Sequence, residues 1–100
     1  MFKRMELSRF TAGLSALGFS SYADEEFNRT VFETKDYKGY NLVVYVDKNT
    51  IRCEILRILP NFRKERYRKC YRVYSELPGF ESAESLLSDF FSVVVAKYNL

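Results

Sequence analysis

Two short runs of alternating side chains, separated by a turn, constrain the fold of this chain more than any other feature. In residues 42–55, apolar side chains occupy every second position on both sides of residues 47–50, the pattern of two half-buried β-strands. A two-residue loop at Lys48 and Asn49 brings three apolar pairs onto one face. The pairs are Val46 with Ile51, Val44 with Cys53, and Leu42 with Ile55. A shift of one residue would place apolar side chains opposite charged ones, so the pattern predicts an antiparallel hairpin with a defined register.

Length and composition predict a single globular domain over residues 1–100. The chain is 47% hydrophobic and 29% charged, with a net charge of +3, which is typical of a folded domain. Its apolar runs are much shorter than the ~20 residues that cross a bilayer, and no signal-peptide core follows the basic start. Two cysteines without a secretory signal indicate a reducing, cytoplasmic setting.

A helix is predicted at each end of the chain. Residues 6–17 carry apolar side chains at helical spacing, and Gly18 is placed to form a left-handed C-terminal cap. Ser82 is a plausible N-cap for the last helix, whose apolar stripe includes Leu86, Phe90 and Val94. Residues 20–26 are polar and acidic, so we interpret them as a connection.

Another strand is predicted before the hairpin, at residues 29–35. A three-residue loop ending at Gly39 would place Phe32 beside Val44 on the core face, whereas a two-residue loop would turn Phe32 outward. We expect the longer loop, because it leaves Arg29 in solvent.

A fourth strand is predicted at residues 66–75, after the third strand ends near Leu59. A register that pairs Ile55 with Tyr71 and Cys53 with Val73 keeps apolar side chains on the core face. The same register sets Arg72 opposite Glu54, an attractive cross-strand pair.

The elements then follow in the order α-β-β-β-β-α. The predicted fold class is α+β: a four-stranded antiparallel sheet with both helices packed on one face. The terminal strands are candidates for homodimerisation by edge pairing.

Composition argues against most enzyme classes. The chain has no histidine, which excludes Ser-His-Asp and Cys-His triads and most zinc sites. Its four glycines are scattered rather than gathered in a phosphate-binding loop. We therefore expect no enzymatic activity, no cofactor and no metal. Cys53 is expected in the core and Cys70 on the opposite face, both reduced.

One stretch, residues 62–74, is rich in basic residues with aromatic residues between them. Basic side chains bind phosphates and aromatic rings stack on bases, and the predicted sheet face adds two more residues of this kind. The candidate binding residues are Arg63, Lys64, Arg66, Arg68, Arg72, Tyr74, Tyr45 and Arg52. A solvated strand face whose cations prevent edge pairing is the competing interpretation.

Two non-enzymatic functions therefore remain open. One is a module whose basic and aromatic sheet face binds nucleic acid or another polyanion. The other is a protein-binding inhibitor or adaptor, of the size of phage- and plasmid-encoded accessory proteins such as anti-CRISPRs, that binds an acidic surface or a nucleic-acid site of its partner. Tyrosine and arginine are favoured at the centres of protein interfaces.

The α-β-β-β-α core within this order resembles that of double-stranded RNA-binding domains and of small mRNA-interferase toxins. The lysine-rich helix start of the former and the catalytic histidine of the latter are absent, however, so no family is identified.

Overall fold

The computed structural model describes residues 2–58, 71–75 and 82–98, with side chains described in 2–55, 71–75 and 82–94. The elements are α1 (Arg4–Ala16), β1 (Ser20–Asp24), β2 (Arg29–Tyr37), β3 (Tyr40–Val46), β4 (Ile51–Ile58), β5 (Tyr71–Tyr74) and α2 (Ala83–Tyr98). The strands form one antiparallel sheet in the order β1-β2-β3-β4-β5. The protein is therefore α+β, with two helices and a five-stranded meander among the described residues.

The sheet has one strand more than the four that the sequence predicts. β1 occupies most of the segment that we interpreted as a connection, and it pairs with β2 with Tyr22 opposite Val31. Its first four residues are exposed. An edge strand that buries few side chains needs no alternation of apolar residues, which is why the pattern is missing there.

The central hairpin is confirmed in register. Val46 lies opposite Ile51, and Val44 lies opposite Cys53. The turn is held by Asp47, whose Oδ1 accepts hydrogen bonds of 2.7 Å from the backbone N–H groups of Asn49 and Thr50.

The β2–β3 connection gives the expected pairing through a different turn. Phe32 lies opposite Val44, as predicted, but the loop has two residues, Lys38 and Gly39, with φ of 53° and 89°. Two consecutive positive φ values are typical of the tight turn that matches strand twist. An irregularity between Thr34 and Tyr37 shifts the register by one residue, so Phe32 still faces the core.

Both helices have the expected caps. Gly18 has φ of 96°, and the backbone N–H groups of Gly18 and Phe19 donate to Ser15 and Leu14 at 3.0 and 3.1 Å, which is the Schellman arrangement. At the start of α2, the Ser82 hydroxyl accepts a 3.1 Å hydrogen bond from the backbone N–H of Ser85.

The predicted register of the last strand is wrong by one residue. Cys53 lies opposite Arg72 rather than Val73, and Glu54 lies opposite Tyr71 rather than Arg72. Consequently Tyr71 and Val73 are 45% and 48% exposed, whereas Tyr74 is buried. The part of the predicted strand that precedes Tyr71 lies outside the described residues.

One hydrophobic cluster joins the helices and the sheet. It contains alternate residues of the strands together with buried residues of α1 and α2. Its most deeply buried members are Phe90, Leu14, Leu42, Ile51, Ile55, Leu86, Leu87, Val44, Val94 and Cys53. At Gly13 the two helices approach closely, since a Cβ there would lie 3.0 Å from the Cβ of Ala83.

Candidate functional site

The candidate binding residues separate into three groups. Arg63, Lys64, Arg66 and Arg68 lie outside the described residues. Tyr45 and Arg52 are direct cross-strand neighbours, on the sheet face opposite the core cluster. Arg72 and Tyr74 belong to the other parity of β5 and lie on the core side, which corrects their predicted place beside Tyr45 and Arg52.

Tyr22 and Tyr71, two exposed tyrosines of the described sheet, lie on the face opposite the core cluster. Alternation along each strand and the observed registers define its members. They are Tyr22, Phe27 (from the β1–β2 turn), Arg29, Val31, Glu33, Val43, Tyr45, Arg52, Glu54, Tyr71 and Val73. We refer to this set as the arginine–tyrosine face.

Arginine and aromatic side chains alternate across this face. The Arg29 guanidinium lies 4.8 Å from the ring centre of Phe27 and 4.2 Å from that of Tyr45. Tyr45 is followed across the sheet by Arg52, whose guanidinium lies 4.2 Å from the ring centre of Tyr71. These distances are well within the range of cation–π attraction. Stacking therefore restricts both guanidinium groups before any partner binds.

The arginines of this face also have carboxylate neighbours. Arg29 Nε donates to Asp24 Oδ2 at 2.9 Å. Arg52 Nε lies 3.5 Å from Glu54 Oε2, close enough for an ion pair, but it is shielded from solvent and has no hydrogen bond. With Glu33 also on the face, its described part has two arginines, Arg29 and Arg52, and two carboxylates, Glu33 and Glu54. The local charge is therefore balanced rather than basic.

Tyr45 is the centre of the face. Burial raises the pKa of its phenol, and the Glu54 carboxylate raises that pKa further, so the ring stays neutral at physiological pH. Val31 and Val43 are buried on this face although they do not belong to the core cluster. The face thus combines a buried aliphatic layer with half-exposed aromatic side chains.

Arg72 and Tyr74 connect β5 to α2 instead of joining this face. The Tyr74 hydroxyl donates a 2.6 Å hydrogen bond to Asp89 Oδ2, and Arg72 Nε lies 3.5 Å from the same oxygen. Burial and the hydrogen bond to Asp89 raise the pKa of Tyr74. Because the Tyr74 side chain is buried in the core cluster, it is not available to stack on a base.

Chemically reactive groups are few in the described part of the chain. Cys53 is buried and free, and burial raises the pKa of its thiol, which suppresses the reactive thiolate. Cys70 lies outside the described residues. No three metal-ligating side chains of the described residues are close enough to hold an ion. Neither helix, as far as it is described, is long and apolar enough to cross a membrane.

A groove of about 680 Å³ opens beside α1, near the ends of the β1–β2 and β3–β4 turns. Its lining includes Asp24 and Arg29, which are paired with each other, and Asp47, which caps a turn. These charged groups are already occupied within the protein.

Sequence analysis missed four residues of this face. Tyr71 and Val73 were assigned to the core by the incorrect register, Tyr22 was placed in a connection, and Phe27 was assigned to no element. The last two are 53% and 61% exposed. The signal that could have found them is the presence of large aromatic residues within an otherwise polar segment, which is unusual for a solvated loop.

Comparisons of this chain with protein-family models, with curated proteins and with solved structures gave no match.

Proposed function

We propose that this protein is a non-enzymatic binding module and that the arginine–tyrosine face is its binding surface. The observation that carries the proposal is the alternation of Phe27, Arg29, Tyr45, Arg52 and Tyr71 across the sheet. In this proposal both helices cover the core side of the sheet, which agrees with their shared membership in one buried cluster. The opposite face is then left for a partner.

A partner protein fits this face better than a nucleic acid. Arg29 is stacked between two rings and paired with Asp24, so it is poorly placed to neutralise a phosphate. Aromatic side chains and arginine, held rigid and partly exposed, are the groups that dominate protein interfaces. Stacking lowers the entropic cost of ordering them on binding. The function that we propose is that of an inhibitor or adaptor that binds another protein.

Replacement of Arg29 by lysine tests this proposal directly. Arg29→Lys keeps the charge but removes the planar group that stacks between Phe27 and Tyr45. The protein is used to isolate its partner from a nuclease-treated lysate of the source cells, and affinity for the purified partner is then measured by calorimetry. We expect Arg29→Lys to weaken binding by about tenfold, and Tyr71→Ala by about 30-fold, in line with aromatic anchors at interfaces.

The matched controls are Arg9→Lys and Met5→Ala, because Arg9 and Met5 are exposed on α1, away from this face. Both controls should bind as the parent does. Equal affinities for Arg29→Lys and Arg9→Lys, in proteins with equal thermal stability, would exclude the stacked arginine as part of the surface.

Nucleic acid is the second candidate partner, because the charge is concentrated in one segment of the sequence. Residues 63–72 contain Arg63, Lys64, Arg66, Arg68, Lys69 and Arg72 against one acidic residue, Glu65. A concentrated basic segment attracts polyanions. Reversal of Arg66 and Arg68 to Glu should then abolish binding of labelled DNA and RNA oligonucleotides in fluorescence anisotropy.

The dependence of affinity on salt concentration identifies binding to the phosphates of a nucleic acid. For the parent protein, the logarithm of affinity should fall with the logarithm of salt by about 0.7–0.9 for each phosphate contacted. Arg29→Lys should have little effect on this affinity, since the charge is kept. Absence of oligonucleotide binding at low salt would leave the protein partner as the function.

We further propose that the protein acts in the cytoplasm. The buried free thiol of Cys53 is compatible with a reducing compartment, and labelling of this protein in cell fractions would test the location.

A further inference from the structure

The outer edge of β1 is an unprotected strand edge. β1 is the first strand of the sheet order, and among the described residues it pairs on one side only, with β2. Ser20, Ser21, Tyr22 and Ala23 are exposed. The backbone groups on the outer side of such a strand can pair with another chain.

Most of the sequence features that normally prevent edge pairing are absent from β1. The strand contains no lysine, arginine or proline, and its only charged residue is Asp24 at the end. Its register with β2 is continuous, whereas the β2–β3 and β3–β4 registers each contain an irregularity. Short length is the one protective feature that remains.

We propose that two copies of this protein pair through their β1 strands, antiparallel and centred on Tyr22. In this register Tyr22 lies opposite Tyr22 of the second copy, and Ser21 lies opposite Ala23. Asp24 lies opposite Ser20, whose hydroxyl can donate to the carboxylate. No like charges face each other, and aromatic pairs and hydroxyl hydrogen bonds both stabilise cross-strand neighbours. Self-complementarity of this kind is what a two-fold interface requires.

The two sheets would become one sheet of twice the size. A two-fold axis normal to the sheet keeps the same face of each sheet on the same side. The two arginine–tyrosine faces would therefore lie next to each other, joined by the Tyr22 pair. The inference does not rest on the proposed function, because it concerns the edge of the sheet rather than the binding of a partner to its face.

The expected dimer is weak. Five residues of antiparallel strand extend only about 17 Å. The surface area buried in the contact is therefore below the roughly 1,200 Å² at which stable interfaces begin. A dissociation constant on the order of 10 µM to 1 mM is expected for such a contact. Sedimentation equilibrium of the full chain across that range should show a reversible change from monomer to dimer.

Paired charge substitutions test the register. In Ser21→Lys with Ala23→Lys, each lysine faces a lysine of the second copy, so the protein should be monomeric at all concentrations. In Ser21→Lys with Ala23→Glu, each lysine faces a glutamate, so dimerisation should be retained or strengthened. A dimer that tolerates the two lysines, or one that is lost equally in both variants, would overturn this register.

Disulfide trapping supplies a second readout that does not depend on added charge. Directly opposed residues in an antiparallel pair have Cα atoms about 4.5–5.5 Å apart, within the range of a disulfide. In a Cys70→Ser background, Tyr22→Cys should form a covalent dimer on mild oxidation. The control Ser88→Cys, exposed on α2, should not. A parent chain that stays monomeric up to about 1 mM, with no trapping at residue 22, would show that β1 does not pair with itself.

Discussion

Two side chains of β5 contact the carboxylate of Asp89 on α2. The Tyr74 hydroxyl lies 2.6 Å and Arg72 Nε 3.5 Å from the same carboxylate oxygen. The side chains of Arg72 and Asp89 are 44% and 34% exposed, so solvent screening keeps the contribution of that ion pair small. The short hydrogen bond from a buried phenol is the stronger link between the strand and the helix.

Removal of this hydrogen bond gives a prediction at the scale of the residue. Tyr74→Phe should lower the free energy of unfolding in urea by about 1–2 kcal/mol at neutral pH, because one oxygen of Asp89 loses its donor. Tyr71→Phe is the matched control, since its ring is half-exposed, and it should change stability little. Equal urea midpoints for the two variants would show that the Asp89 hydrogen bond does not stabilise the fold.

The direction of the Tyr74 pKa shift adds a pH dependence to the same comparison. The pKa is raised in the folded state, so the protonated phenol stabilises the fold. That contribution is fully present below the unfolded-state pKa of about 10 and is lost as the pH rises above it. The stability difference between the parent and Tyr74→Phe should therefore narrow above about pH 10.

The side of the sheet that each β5 residue faces could not be predicted from the sequence, because tyrosine and arginine have both an apolar body and a polar end. In the sequence Tyr71-Arg72-Val73-Tyr74, either alternate pair can face a core. Tyr74 is buried because its hydroxyl reaches Asp89, a contact with a residue far along the chain. The alternation of apolar and polar residues along the strand does not reveal that contact.

At the scale of the element, strands that bury side chains in the core were predicted more accurately from the sequence than strands that do not. The β3–β4 hairpin was predicted in register because both strands alternate between core and solvent. β1 was missed because it buries little. The two-residue β2–β3 turn was the alternative that we did not favour, and the irregularity between Thr34 and Tyr37 keeps Phe32 on the core face with that turn. The face around Tyr45 and Arg52 was predicted in part, since it depends on the same hairpin.

Each helix should contribute to the core through its buried stripe. Leu14 on α1 and Phe90 on α2 are both fully buried in the core cluster. Leu14→Ala and Phe90→Ala should each lower the free energy of unfolding by about 2–5 kcal/mol, from lost burial and the cavity left behind. Urea denaturation followed by circular dichroism measures this change.

Met5→Ala on the exposed side of α1 is the control, since Met5 is 66% exposed, and its midpoint should match that of the parent. A parent-like midpoint for Leu14→Ala would mean that α1 does not stabilise the core.

At the scale of the whole molecule, a single cluster connects both helices with strands β2 to β5. Both helices, the central strands and Tyr74 of β5 share it, so loss of one contact exposes the others. Unfolding should therefore be cooperative. Helical circular dichroism and tyrosine fluorescence should give the same urea midpoint. A tyrosine signal that changes at lower urea than the helical signal would show that the sheet and the helices unfold separately.

The close approach of Gly13 to Ala83 has a consequence for the order of events in folding. Each pair of neighbouring strands is also a pair of neighbours along the chain. At most four residues separate the strands of the first three hairpins, and twelve residues separate β4 from β5. The contact between α1 and α2 joins positions about 70 residues apart, and closing a segment of that length costs more chain entropy. The meander can therefore form early, and docking of the two helices should be the late step that limits the rate of folding.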